Sequence, residues 1–401
     1  MTTTDTQLPM KRSAVLSELF LVSLRLGFTS FGGPIAHLGY FHDTYIRRKH
    51  WMDEKTYAEL VALSQFLPGP ASSQVGIGIG LLRGGMLGGI VAWMGFTLPS
   101  VVLLAAFAWL LQGIDVGAAG WIHGLKLVAV AIVAHAVLGM GQKLAAGKVR
   151  ASIAVTAAAV ALLWQAPLSQ AAIMVAAGVL GLVLFRMEEH QPAAPLALQI
   201  SRRTAIGCLA LFALLLAALP LAGALYPESL AALADSMYRS GSLVFGGGHV
   251  VLPLLEREFV PTGWMGTEQF LAGYAAAQAV PGPLFTFASY IGMATRGITG
   301  MIVATIAIFL PAFLLIAGAL PFWNIIRRSA GMMHALTAIN AAVVGILLAA
   351  LYDPLFTTAV QGPADFVLAA ALFVLLAYWK LPPWLIVLLG AAGGTILSWA
   401  F

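Results

Sequence analysis

Phe31-Gly32-Gly33-Pro34-Ile35-Ala36-His37 and Pro68-Gly69-Pro70-Ala71-Ser72-Ser73-Gln74 each set glycine and proline into an otherwise apolar run. Neither residue suits a helix interior: glycine loses backbone entropy there, and proline removes a donor and clashes with the preceding turn. Each motif therefore reads as a helix break, and both recur. Phe31-Gly32-Gly33 returns as Phe245-Gly246-Gly247, and Arg25-x-Gly27 as Arg239-x-Gly241, at an offset of 214. Trp51-Met52 returns as Trp264-Met265, Gln65-x-x-Pro68-Gly69-Pro70 as Gln278-x-x-Pro281-Gly282-Pro283, and Arg83-Gly84 as Arg296-Gly297, at 213. Leu98-Pro99 returns as Leu310-Pro311 at 212. Landmarks recurring in one order make the chain a tandem duplication. Residues 1–186 form the first repeat, 187–203 a polar linker, 204–225 a connecting helix and 226–401 the second repeat.

Composition sets the solvent. Of the 401 residues, 60% are hydrophobic and 9% charged, against about a quarter charged in soluble domains. With a mean hydropathy of +0.92, the expected class is an all-α polytopic membrane protein. The single cysteine, Cys208, excludes a disulfide framework, a cysteine-based zinc site and an iron–sulfur site. The net charge of +5 reads as basic cytoplasmic loops, not nucleic-acid binding. No HExxH, GxSxG, P-loop or CxxC is present, so neither an enzyme nor a cofactor is expected. The N-terminal stretch lacks the short apolar core and cleavage site of a signal peptide and reads as retained.

Loop charges set the topology. Beyond the breaks, each repeat has four apolar runs, 86–111, 121–140, 151–165 and 168–185 in the first and 298–321, 331–351, 365–379 and 383–400 in the second. Arg47-Arg48-Lys49 follows the first FGG break, whereas Glu256-Arg257-Glu258 follows the second. Lys143, Lys148 and Arg150 lie in one loop, and its counterpart, 352–363, has no basic residue. Arg327-Arg328 lies in another, and its counterpart, 112–120, has none. Since basic residues mark the cytoplasmic side, the two repeats are expected to have inverted topology, with helix 204–225 joining them. Each FGG and PGP break is then the tip of a re-entrant helical hairpin that returns to its own side; the alternative, that the FGG segments are kinked spanning helices, puts Arg47-Arg48-Lys49 on the side opposite Lys11 and Arg12. The N-terminus is placed in the cytoplasm and the C-terminus in the periplasm. Of 21 Lys/Arg residues, 15 then fall on the cytoplasmic side and only Arg257 outside. Arg25, Arg83, Lys126, Arg239 and Arg296 fall within the membrane, Lys126 close enough to its helix end to snorkel.

Inverted repeats with interrupted helices point to a secondary transporter working by alternating access; the alternatives are a carrier of sulfate or another oxyanion, and a passive anion channel built on the same hairpins. A helix that starts at mid-membrane aims unpaired N–H groups and a partial positive charge at whatever lies before it, which suits an anion. Pro34, Pro70, Gly248 and Pro283 are placed to open such half-helices. The glycines of the breaks, Gly32, Gly33, Gly69, Gly246, Gly247 and Gly282, allow close approach of the backbone. Arg25 and Arg239, and Arg83 and Arg296, are repeat mates whose planar forks suit an oxyanion. Arg83 and Arg296 equally suit a snorkelling place at hairpin ends. Ser30, His37, Gln65, Ser72, Ser73, Gln74, Ser242, His249, Gln278 and Thr286 are candidates for direct contact, or for capping local backbone. Glu18, Glu59 and Asp235 are the acids in apolar context, and each could carry a proton or balance an arginine; Glu18 and Asp235 are expected at solvated or interfacial places.

FGGPIAH at 31–37, Trp51 and PGPASSQ at 68–74, with FGGGHVVLP at 245–253 and the second PGP at 281–283, resemble the chromate ion transporter family in its long, two-domain form. The resemblance covers nearly the whole chain. It implies a bacterial inner-membrane protein that exports chromate and confers chromate resistance, with proton-motive force as the driver through antiport. Its usual thirteen segments match nine spans plus four hairpins. Sulfate has the same charge and shape as chromate, so the motifs do not separate the two. A homodimer is left open.

Overall fold

The computed structural model describes residues 12–112, 119–164, 169–185, 200–227, 229–245, 248–323 and 329–400. Gly246, Gly247 and most of the 187–203 linker lie outside the described residues. Among the described residues, fifteen α-helices of nine residues or more carry the fold: α1 (Arg12–Thr29), α2 (Gly33–Phe41), α3 (Glu54–Phe66), α4 (Ala71–Leu110), α5 (Gly120–Leu144), α6 (Lys148–Leu163), α7 (Ser169–Leu184), α8 (Arg202–Leu225), α9 (Leu230–Leu243), α10 (Val251–Phe259), α11 (Thr267–Ala279), α12 (Phe287–Ala319), α13 (Ala330–Ala350), α14 (Pro363–Ala377) and α15 (Pro383–Ala400). No strand occurs among the described residues. Among the described residues, five helical stretches are long and apolar enough to cross a membrane, as the composition demands. The same order of elements runs through α1–α7 and α9–α15, with α8 between them.

Local chemistry sets the ends. The Asp53 carboxylate accepts from the Thr56 amide at 2.9 Å to start α3, and Ser201 and Ser229 cap α8 and α9 in the same way. Pro363 opens α14, where Asp365 accepts from the Gln361 and Gly362 amides.

α4 has 40 residues, which laid straight would measure about 60 Å, twice a hydrocarbon layer. It is not straight. At Gly85 (φ 63°, ψ −156°) the chain reverses, and Gly80 lies so close to Gly88 that neither has room for a Cβ. α12 reverses in the same manner at Gly297 (φ 62°, ψ −153°), with Gly292 against Gly300. Each is thus an inner arm followed by a long outer arm.

The segments around the breaks also fold back. Lys49, beyond α2, returns to Glu18 of α1 at 2.9 Å, and Tyr45 reaches Ser23. In the second repeat Glu258 of α10 returns to Arg239 of α9 at 2.7 Å. Arg83, at the end of the inner arm of α4, lies 4.2 Å over the Trp51 ring that precedes α3. Arg296 lies 5.0 Å over Trp264 at the matching place. Each broken segment thus returns, past its break, to side chains that precede the break.

The two repeats are interlocked. The outer arms of α4 and α12 run antiparallel: Trp93 meets Phe309 at 5.8 Å, while Gly89 packs on Phe313. α6 and α7 pack on α13 of the other repeat, and α14 and α15 pack on α5. Small residues let these helices close up: Gly124 against Gly390 and Gly394, Gly345 against Ala154, and Gly181 against the His334 carbonyl.

Candidate functional site

The four breaks meet. The Gly69 amide donates to the Val244 carbonyl at 2.7 Å, and the Gly282 amide donates to the Ser30 carbonyl at 2.9 Å. These are the same bond made twice, since Gly282 is the repeat mate of Gly69 and Val244 that of Ser30. Each PGP tip is therefore tied to the FGG tip of the other repeat. Gly248 faces Pro34 across the gap. Gly69 (φ +118°) and Gly282 (φ +103°) hold backbone conformations closed to other residues. A Cβ at Gly282 would lie 2.8 Å from the Ser100 Oγ, and one at Gly69 would lie 3.1 Å from the Ala312 Cβ. α2 opens with proline in its first turn and α4 directly after Pro70. Helix N-termini and their partial positive charge are thus gathered at one place.

Side chains at this focus are buried and only partly satisfied. His37 is 1% exposed; its Nδ1 lies 3.2 Å from the Ser72 Oγ, and its ring stands edge-on to Phe96. The His37 Nε2, the Ser30 Oγ, the Ser73 Oγ, the Gln74 Oε1 and the Thr97 Oγ1 are buried with no hydrogen-bond partner. The Gln74 Nε2 donates to the Pro68 carbonyl at 2.8 Å. Leaving a buried polar atom unpaired costs about 1–3 kcal/mol, so such a set needs an explanation. The second repeat is closed by comparison. There Thr286 donates to the Pro283 carbonyl, Ser242 to the Tyr238 carbonyl, and the His249 Nδ1 lies 2.9 Å from the Tyr274 hydroxyl. Only the Gln278 Nε2 is left over among its candidates. The open polar surface belongs chiefly to the first repeat.

The arginines stand elsewhere. Arg83 donates to Glu18 at 2.9 Å, twelve residues and about 18 Å along the helix from Ala71. Arg296 is exposed beside Trp264. Arg239 makes a two-pronged bond to Glu258 at 2.8 and 2.7 Å and also donates to Asp235 at 3.0 Å. Arg25 is exposed on α1, and Gln65 is exposed on α3. Glu59 accepts from the Trp323 indole at 2.7 Å. Asp235 is buried, not solvated. Lys126 is buried too, and its ammonium meets Glu268 at 2.9 Å instead of extending to headgroups. Arg83 and Arg239 are thus held by acids, and the breaks themselves carry neutral donors and backbone.

Two contributors were missed in the sequence. Thr97 directly precedes the repeated Leu98-Pro99, which was the available signal. His135 on α5, with an unpaired Nδ1, carries no motif.

Broken helices that converge on a buried polar focus inside a polytopic bundle define a membrane transport protein as the class. The chain belongs to the chromate transporter family: the family pattern matches residues 17–182 and again 231–395, once in each repeat. This is a family of membrane transporters, not enzymes. The chain is 29% identical over 391 residues to a chromate transport protein of Pseudomonas aeruginosa, covering 94% of this chain and 90% of the relative. It is 27% identical over 412 residues to a probable chromate transport protein of Synechococcus elongatus, covering 98% of each. A chromate transport protein of Cupriavidus metallidurans is 27% identical over 372 residues, 91% of this chain and 89% of the relative. No solved structure matches the chain.

Proposed function

We propose that this protein is a secondary transporter that exports chromate, a tetrahedral dianion, across the bacterial inner membrane by alternating access. The observation that carries the reading is the pair of reciprocal tip bonds, from Gly69 to Val244 and from Gly282 to Ser30. They gather helix N-termini beside buried polar atoms that lack partners. Ser30, Gly32, Gly33, Pro34, His37, Gly69, Ser72, Ser73 and Gln74 form the main wall of the anion site. Gln278, Gly282, His249 and Thr286 face it from the second repeat. Backbone amides and hydroxyls replace the water shell of the anion, and the helix ends offset its charge. Arg25 and Arg296 draw the anion in, while Arg83 and Arg239 clasp the broken segments through Glu18 and Glu258.

The broken segments are re-entrant hairpins of two inverted repeats in this reading. It is supported by the meeting of Trp51 with Arg83 and of Trp264 with Arg296, and by the antiparallel outer arms. The N-terminus is cytoplasmic and the C-terminus periplasmic. Proton-motive force drives export, with Glu18, Glu59 and Asp235 as acids on the route. Sulfate is the competing substrate.

The test is chromate uptake into sealed inverted vesicles, with sulfate as competitor and an uncoupler as control. Uptake that an uncoupler abolishes is expected. Uptake no greater than in vesicles lacking the protein refutes transport. Uptake indifferent to the uncoupler refutes coupling and leaves a passive pathway.

A further inference from the structure

A cavity of about 360 Å³ lies between α6, α7, α10 and the end of α13, away from the tips. Gln170, Arg239, Glu256, Arg257, Glu258 and Asp353 line it. In the proposed orientation it opens to the periplasm. The charges are unbalanced: Arg239 and Arg257 stand against Glu256, Glu258 and Asp353, with Asp235 behind Arg239.

The basic groups are engaged. Arg239 is spent on Asp235 and Glu258. Arg257 donates to the Ala161 carbonyl at 2.8 Å and to the Ser169 hydroxyl. Asp353 accepts from the Thr357 hydroxyl. The Glu256 carboxylate, half-buried, makes no hydrogen bond or ion pair among the described residues. The repeat supplies a comparison. At the positions matching Glu256 stand His42 or Asp43, depending on the offset of 214 or 213. His42 pairs with Glu54 and Asp43 with Arg48, each at 2.7 Å. Only the second repeat leaves its acid open.

We propose that Glu256 is the proton-binding group of this cavity and couples the second hairpin to the pH outside. This inference rests on the proposed proton-driven transport and adds the site at which the proton is taken up. A proton from periplasmic water forms an O–H bond on a Glu256 oxygen. It leaves the same oxygen for water when the site faces the other way, and no electrons move. Burial pushes the carboxyl up to about 7, with the Arg257 charge opposing and Asp353 adding to the rise. Glu256 lies in the last turn of α10, five residues before the exposed Pro261-Thr262-Gly263 loop and outside the long apolar helices. The groups facing it are Asp235 and Arg239 from α9, Arg257 and Glu258 from its own helix, Asp353 beyond α13, and the neutral Gln170 and Ser169 of α7. His249 and Tyr274 stand toward the opposite, tip end of α10.

Geometry links this site to the anion. A 3-10 turn, Gly248–Val250, runs directly into α10 and carries the chain from the tip to Glu256, about 13 Å. An ionised Glu256 repels Glu258 and Asp353 and competes for the arginines. That weakens the Arg239–Glu258 clasp joining α9 to α10. A protonated Glu256 leaves the clasp intact.

The test uses the full chain in inverted vesicles, whose acidified lumen stands for the periplasm. A gradient of one pH unit is worth about a tenfold concentration ratio per coupled proton. Glu256→Gln is expected to lose about that factor in chromate accumulation, together with chromate-induced lumen alkalinisation. It is expected to keep chromate-for-chromate exchange. Glu256→Asp is expected to keep accumulation with a displaced pH profile. Wild-type accumulation and pH profile in Glu256→Gln would overturn the proposal while leaving transport intact. Loss of exchange as well as accumulation in both variants would overturn it in favour of a structural role. A wild-type protein that moves no chromate at all would instead overturn the transport reading on which it rests.

Discussion

Replacing Gly282 with alanine tests whether the crossed tips are the working part of the molecule. Two costs can be read from the structure. The first is conformational: φ is +103°, and an L-residue held there is strained by about 1–3 kcal/mol. The second is local crowding, because the new methyl would stand 2.8 Å from the Ser100 Oγ. That hydroxyl donates to the Thr97 carbonyl at 3.0 Å, and turning it aside loses about 0.5–1.5 kcal/mol. The sum is about 1.5–4.5 kcal/mol, which corresponds to a roughly 10- to 2,000-fold fall in rate if the strain falls on the transporting states. Initial rates of chromate uptake in vesicles would measure it, with thermal melting in detergent as the check on folding. Ser100→Ala in the same chain should return only the crowding share, about 1 kcal/mol, and so a few-fold of rate. Gly297→Ala is the control, since its φ is also positive but no atom lies within 4 Å of a new Cβ. It should melt lower without matching the loss of uptake. Wild-type uptake by Gly282→Ala, or full rescue by Ser100→Ala, would refute the reasoning.

Ser72→Ala removes the hydroxyl beside the His37 Nδ1; uptake should fall about tenfold, with weaker inhibition by sulfate. Arg239→Gln strips Asp235 and Glu258 of their shared partner, so both export and melting temperature should fall; Arg25→Gln should lose export while its melting temperature stays at the wild-type value. In a Cys208→Ser background, Gly147→Cys should react with a membrane-impermeant maleimide only from the cytoplasmic side, and Thr262→Cys only from the periplasmic side. Asp53→Ala should lower the melting temperature at neutral pH. The Thr56 amide and hydroxyl hold the Asp53 carboxyl below its usual 3.8, so its contribution is present above that pH and fades as pH falls through the lowered value, which acid melts would follow.

Much of the fold was legible because breaks have a local cause. A positive φ at Gly32, Gly69 and Gly282 demands glycine, and the demand is written twice in a duplicated chain. Loop charge was legible for the same reason, since it is counted residue by residue. Pairing was not. Arg239 was read as an anion ligand because it lies near a break, but its partner Glu258 is 19 residues away and nothing local announces it. His37 and Ser72 were both singled out, while their mutual contact across 35 residues depends on how two hairpins pack. Lys126 was read as snorkelling from its distance to a helix end; Glu268, 142 residues on, keeps it inside instead.

The exchange of helices between repeats sets the order of events during synthesis. α6 and α7 are made early, yet the surface they pack against is α13, which begins at Ala330. Gly178 and Gly181 of α7 are shaped to receive Ile339, Ala335 and Ala338, none of which exists when α7 leaves the ribosome. The first repeat therefore waits in the bilayer with an open seam until the second arrives. The seam has to be held by lipid or by the insertion machinery in the meantime. The two halves made as separate chains would complete one another, and neither would close alone.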